Sequence, residues 1–216
     1  MSPPLRRRDL LLGAVVLLVS LSLVRLGVDR AVLAHADSVR GHGPTTDGEV
    51  PVIEHLRQGV KGLVWLARLA LTVAVVAWMA SARRVVQTYD CGVFRSDPDF
   101  AVTGWFLPPI NLVAPYLLMS DVWLASHPGR RPEAIISRLR VPRRITLWWL
   151  LFLASVALGI MEAADRVHGG STWAPFDMRL DYAMTACQIA SAVLLGWIAV
   201  QATGFIERRA SVASPV

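Results

Sequence analysis

The sequence predicts an all-helical integral membrane protein: four transmembrane helices in an antiparallel bundle, plus one proline-broken segment that re-enters the membrane or lies at its interface. Three observations predict this. Hydrophobic residues make up 54% of 216, and they gather in long runs instead of alternating with charges. Four of these runs, 10–28, 62–80, 145–163 and 183–205, are each near the ~20 residues that cross a ~30 Å hydrocarbon core. Finally, segment 101–123 is as apolar as the spans, yet it carries Pro108, Pro109, Pro115, Asn111 and Asp121.

The first run follows Arg6, Arg7 and Arg8. Its basic start and apolar core resemble a signal sequence, even a twin-arginine one, with Ala34-His-Ala36 as a cleavage site. Arg25, Asp29 and Arg30 separate that site from the apolar run by a polar turn, which favours an uncleaved anchor. The expected division is 1–58 as anchor helix and external loop, 59–209 as membrane core with the broken segment at 101–126, and 210–216 as a cytoplasmic tail. His35, Asp37, His42, Asp47, Glu49, Glu54 and His55 fall in the external loop, but their spacing fits no zinc signature.

The second run holds Arg68, six residues in from Gly62. A guanidinium at that depth must snorkel outward or find a partner. Glu162 is the nearest acid by depth and Arg25 sits at a similar level, so these three are expected to form an outer polar cluster.

The broken segment cannot be an ordinary span. A helix through its prolines would leave the carbonyls of Gly104, Trp105 and Asn111 without partners, at several kcal/mol each in hydrocarbon. Asn111 carries both donor and acceptor groups and is expected either to patch the freed backbone or to contact a ligand there. Asp121 is expected on a helix restarting near Pro115, paired with an arginine. Ser120, Asp121 and His127 have the residue types of a nucleophilic triad, but neighbouring Ser and Asp on a helix point in different directions.

Charge sets the topology. The net charge of +6 comes almost wholly from arginine. Arg6 to Arg8, Arg83, Arg84 and Arg95, Arg208 and Arg209, and the six arginines at 130, 131, 138, 140, 143 and 144 sort to one side if segment 101–123 does not cross. The 29–58 and 164–182 stretches are acidic on balance and face outward by the positive-inside rule. Both termini are then cytoplasmic; five spans with an external C-terminus is the alternative. Basic charge here points to anionic lipid at the cytoplasmic loop before nucleic acid, for which no binding module is present. Ser155 with Gly159, and Ala192 with Gly196, are small-residue pairs that let helices approach closely. No Walker loop, dinucleotide fingerprint, zinc-protease helix or haem motif occurs, so no cofactor is expected.

Trp78-Met-Ala-Ser-Ala-Arg-Arg, Gly104-Trp105-Phe-Leu-Pro108-Pro109-Ile-Asn111-Leu-Val-Ala-Pro115-Tyr, Ser120-Asp121-Val-Trp-Leu-Ala-Ser and Trp148-Trp149 resemble the uncharacterised bacterial membrane proteins grouped as domain of unknown function 4328. The resemblance covers roughly residues 60–205. Asp121 stands where that family's pattern has an acidic residue, more usually glutamate. The resemblance implies a fold neighbourhood and no activity. From the residues, a non-enzymatic scaffold or partner subunit of the bacterial plasma membrane is expected, engaging lipid and a membrane protein partner. A transporter or channel subunit using the broken segment, and a lipid-active membrane enzyme, are the alternatives.

Overall fold

The computed structural model describes residues 3–42, 49–89, 110–128, 140–167 and 174–213, with side chains at 6–34, 55–88, 110–128, 140–164 and 179–209. Five α-helices stand among these residues: α1 (Pro3–His42), α2 (Glu49–Tyr89), α3 (Ala114–Ser126), α4 (Arg143–Val167) and α5 (Ala174–Ala213). Each begins at proline. Pro3, Pro51, Pro115 and Pro175 sit in first turns, and Pro142 immediately precedes α4. Proline suits these positions because a first-turn N–H has no partner within the helix anyway.

Four helices are long and apolar enough to cross a membrane, over Arg6–Ala34, His55–Thr88, Arg143–Ala164 and Arg179–Arg209. Side-chain contacts fix their directions. Arg57 meets Asp29 while Arg7 reaches the Ala77 carbonyl, so α1 and α2 are antiparallel. Arg144 bonds Gln201 at one end, and Gly159 lies against Met184 at the other, so α4 and α5 are antiparallel too. Arg25 pairs with Asp181, and Gly196 lies against Leu12 and Val15, which runs α5 antiparallel to α1. The arginine end of the bundle thus carries Arg7, Arg83, Arg144 and Arg209; the acidic end carries Asp29, Glu162 and Asp181.

α1 packs on α2, α4 on α5, and α1 on α5, whereas α2 and α4 do not pack side by side among the described residues. The interior holds Leu11, Leu18, Trp78, Met79, Trp123, Ile145 and Ile198. Large apolar side chains such as Leu17, Leu66, Leu69, Leu150 and Ile160 are exposed, as suits helices solvated by lipid chains. The small-residue expectation holds on both helices: a Cβ on Gly196 would meet Leu12 Cδ2 at 3.3 Å, and one on Gly159 would meet Met184 Sδ at 3.3 Å. These are the close approaches that replace hydrophobic drive between helices in lipid.

The described part of the broken segment, from residue 110 onward, forms a 3₁₀ turn and a short helix. α3 has 13 residues, about 20 Å at 1.5 Å per residue, too short for a ~30 Å core. It has no distinct polar face and is buried along nearly all its length, as befits a helix enclosed by protein. A 3₁₀ turn at Ile110–Leu112 leads into it, level with Trp149, whose indole Nε1 donates to the Leu112 carbonyl at 3.1 Å. Its last turn reaches the arginine end, where Arg209 donates to the Ala125 carbonyl at 2.5 Å. α3 therefore leaves the bundle at the end where α2 finishes and α4 starts, and it does not cross.

Asn111 does not take the patching role expected of it. Asn111 is exposed, and no hydrogen bond to its side chain exists among the described residues; the carbonyl beside it is served by Trp149. The physical reason is that the helix starts after Asn111, so Pro115 frees no helical carbonyl there. Trp105, Pro108 and Pro109 lie outside the described residues. The expected division at 58/59 falls inside α2, and the division at 209/210 falls inside α5, because both helices run on past their apolar stretches.

Trp149→Phe keeps the ring's stacking on Phe152 but removes the donor to Leu112. It is expected to cost about 1–3 kcal/mol and to lower the melting temperature in detergent. Asn111→Leu should melt like the wild type, and a drop matching that of Trp149→Phe would return the backbone-repair role to Asn111.

Candidate functional site

Polar groups inside this bundle form two tiers near the acidic end, beside a lateral groove. In the outer tier Arg25 is buried and ion-pairs with Asp181 of α5 and, at 3.6 Å, with Asp29 one turn along α1. Asp29 also accepts from Arg57 Nε of α2 at 3.1 Å. Two arginines and two aspartates from three helices thus close a neutral quartet. Burying Arg25 and Asp29 is costly, and opposite charges across helices offset that cost.

The inner tier lies about 10 Å deeper, since seven helical residues separate Asp181 from Gln188. Here Arg68 donates to Gln188 Oε1 and lies over the Trp65 ring, 4.9 Å from its centroid. Arg25, Asp181 and Glu162 are its charged neighbours. The partner at hydrogen-bond distance is Gln188, however, and not Glu162. Asp181 went unread in the sequence because 164–182 passes for a loop by composition, and Gln188 because it carries no charge. α5 begins at Ala174, and spacing of seven places both residues on one helical face.

Beside Arg68 the gap between α2 and α4 forms a groove of about 220 Å³. α2 contributes Trp65, Arg68 and Val75, α4 contributes Trp148, Trp149 and Phe152, and α5 lays its floor through Gln188, Ser191 and Leu195. The rim is open: Trp65 is 67% exposed and Val156 38%. The hydroxyls in the lining are spent on helix carbonyls, Thr72 on Arg68 at 3.0 Å, Ser155 on Phe152 at 2.7 Å and Ser191 on Trp148 at 3.4 Å.

The arginine end is built differently. Asp121 and Arg83 are both buried there, on packed helices α3 and α2, and each has a polar or ionic partner. Arg144 is held between Trp123 and Trp197, at 4.8 and 4.9 Å from the ring centroids, and bonds Gln201 at 2.5 Å. Ser120 donates to the Tyr116 carbonyl at 2.7 Å, and His127 packs its ring 5.1 Å from Phe205.

Four long apolar helices around a half-inserted fifth define a helical integral membrane protein. The chain belongs to the family Domain of unknown function (DUF4328), which it matches over residues 45–204, from the start of α2 almost to the end of α5. No curated protein and no solved structure matches it.

Asp181→Asn removes one arm of the quartet and leaves Arg25 buried and undercompensated. A loss of about 3–5 kcal/mol is expected, read as an earlier detergent unfolding transition. Arg25→Met combined with Asp181→Leu should lose less than the single variant. Strict additivity of the two changes would show that the pair is not coupled.

Proposed function

We propose that the protein works by binding, as a non-enzymatic scaffold or partner subunit of the bacterial plasma membrane, with the groove between α2 and α4 as its binding surface. One observation carries this reading: the groove is lined by aromatic and aliphatic side chains, with Arg68 and Gln188 at one end, and opens sideways where lipid or a partner's helix would meet it. Acid-base chemistry on lipid would need a nucleophile and a base converging there. The lining hydroxyls instead bond to helix carbonyls, and no histidine or carboxylate is among the lining residues. A transport pathway past Asn111 would need the cavity to reach that residue, and it does not among the described residues.

Both termini lie in the cytoplasm in this reading, because the arginine-rich end of the bundle is the retained one. The arginines at 130, 131, 138, 140, 143 and 144 then face anionic lipid headgroups of the inner leaflet.

Two measurements test the proposal. With Cys91 and Cys187 changed to serine, a membrane-impermeant maleimide applied to intact cells should modify cysteines placed at 45 and 171 but not at 137 or 214; external labelling at 137 would overturn the orientation. Purified from its native membranes in mild detergent, the wild type should retain a lipid or protein component at fixed stoichiometry. Val156→Trp, which fills the groove from its rim, should lose that component. Equal retention by both proteins would remove the groove as the binding surface.

A further inference from the structure

The hydrogen-bonding balance of the groove is one-sided. A guanidinium has five N–H donors, and Arg68 gives one to Gln188 Oε1. Its Nε is buried without a protein partner, and it ion-pairs with no carboxylate among the described residues, unlike Arg25 and Arg57. Because Gln188 presents its oxygen to Arg68, its amide N–H groups are what remain. The three hydroxyls of the lining have given their protons to carbonyls. The groove therefore offers unspent donors and a positive charge at one end, and hydrocarbon along the rest.

Its surroundings narrow the complementary ligand. Asp181 is committed to Arg25, and Glu162 does not line the groove, so neither supplies Arg68 with a counter-ion inside it. The opening faces sideways past Trp65 and Val156, onto surface that lipid chains solvate. Arg68 sits six residues below Gly62, about 9 Å along the helix. A cation at that depth draws headgroups and water down to itself. The ligand that meets these demands is an amphiphile already in the bilayer, with an anionic, acceptor-rich head.

We propose that the groove holds an anionic membrane lipid from the leaflet at the acidic end, its headgroup oxygens on Arg68 and an acyl chain along Trp148, Trp149 and Phe152. This rests on the reading of the groove as a binding surface, and goes beyond it in naming the occupant. Arginine suits the role because its planar fork meets phosphate or carboxylate oxygens two at a time.

Native mass spectrometry of the full chain in detergent, titrated with phosphatidylglycerol or with phosphatidylcholine of the same chains, tests it. The wild type should prefer phosphatidylglycerol about tenfold or more, the value of one charge-assisted hydrogen bond. Arg68→Gln should bind both lipids alike, and Arg68→Lys should keep a preference. Val156→Trp should bind neither lipid, and excess inorganic phosphate should not displace phosphatidylglycerol. If Val156→Trp abolishes binding but the wild type takes both lipids equally, the anionic assignment falls while the groove stands. If Val156→Trp binds as the wild type does, both fall. Displacement by inorganic phosphate would make this a free-anion site and overturn the lipid. Should Arg68→Gln not fold, Arg68→Lys decides: loss of the preference with charge retained overturns the proposal.

Discussion

Inside a bilayer no water is at hand to bond a backbone carbonyl, so every interruption of a helix must be repaired by protein. The position of α3 depends on this. Its entry is secured by the Trp149 indole on the Leu112 carbonyl and its exit by Arg209 on the Ala125 carbonyl, one donor from α4 and one from α5. Pro115 in the first turn costs nothing, since the N–H it lacks would have had no helical partner. A segment that could not cross the membrane as a helix is thereby held half inserted.

The groove follows from the same arrangement. α3 packs against α2, α4 and α5, standing as a wedge between the two hairpins at the arginine end. It begins level with Trp149, and Trp149 is also where the groove begins on α4. Beyond that level, among the described residues, no helix separates α2 from α4, and the two do not close on one another. At the acidic end the quartet ties α1, α2 and α5 together and leaves α4 out. The bundle is clamped at both ends, with an opening between α2 and α4 in the middle third.

The four spans and the inserted element were legible because both express bulk properties: apolar length for the spans, and proline within an apolar run for the break. Arg68 was legible for a related reason, since a charge in a run of hydrocarbon side chains stands out. Its partner was not. Gln188 carries no charge, and it becomes visible only once α5 is known to start at Ala174 and to align positions 181 and 188. Apolar periodicity stops at the membrane boundary while a helix need not, so the continuation of α1 through His42 and the start of α2 at Glu49 leave no hydropathy signal. Asn111 shows the opposite error. Its chemistry suits backbone repair, but an indole from a helix 37 residues away in sequence performed it, and tertiary donors of that kind have no local signature.

The family match starts at residue 45 and so leaves α1 outside it, yet α1 is not an accessory anchor. Arg25 and Asp29 are the groups that compensate Asp181 and Arg57, both within the matched region. Leu12 and Val15 fill the approach that Gly196 leaves open on α5. Without α1, residues 45–204 would carry Asp181 without its arginine partner at the membrane boundary, and an uncovered small-residue face on α5. Either defect is costly in a medium that solvates neither charge nor void. The bundle of this chain is thus completed by its first helix, through two opposite charges placed one turn apart so that each meets a charge already present on another helix.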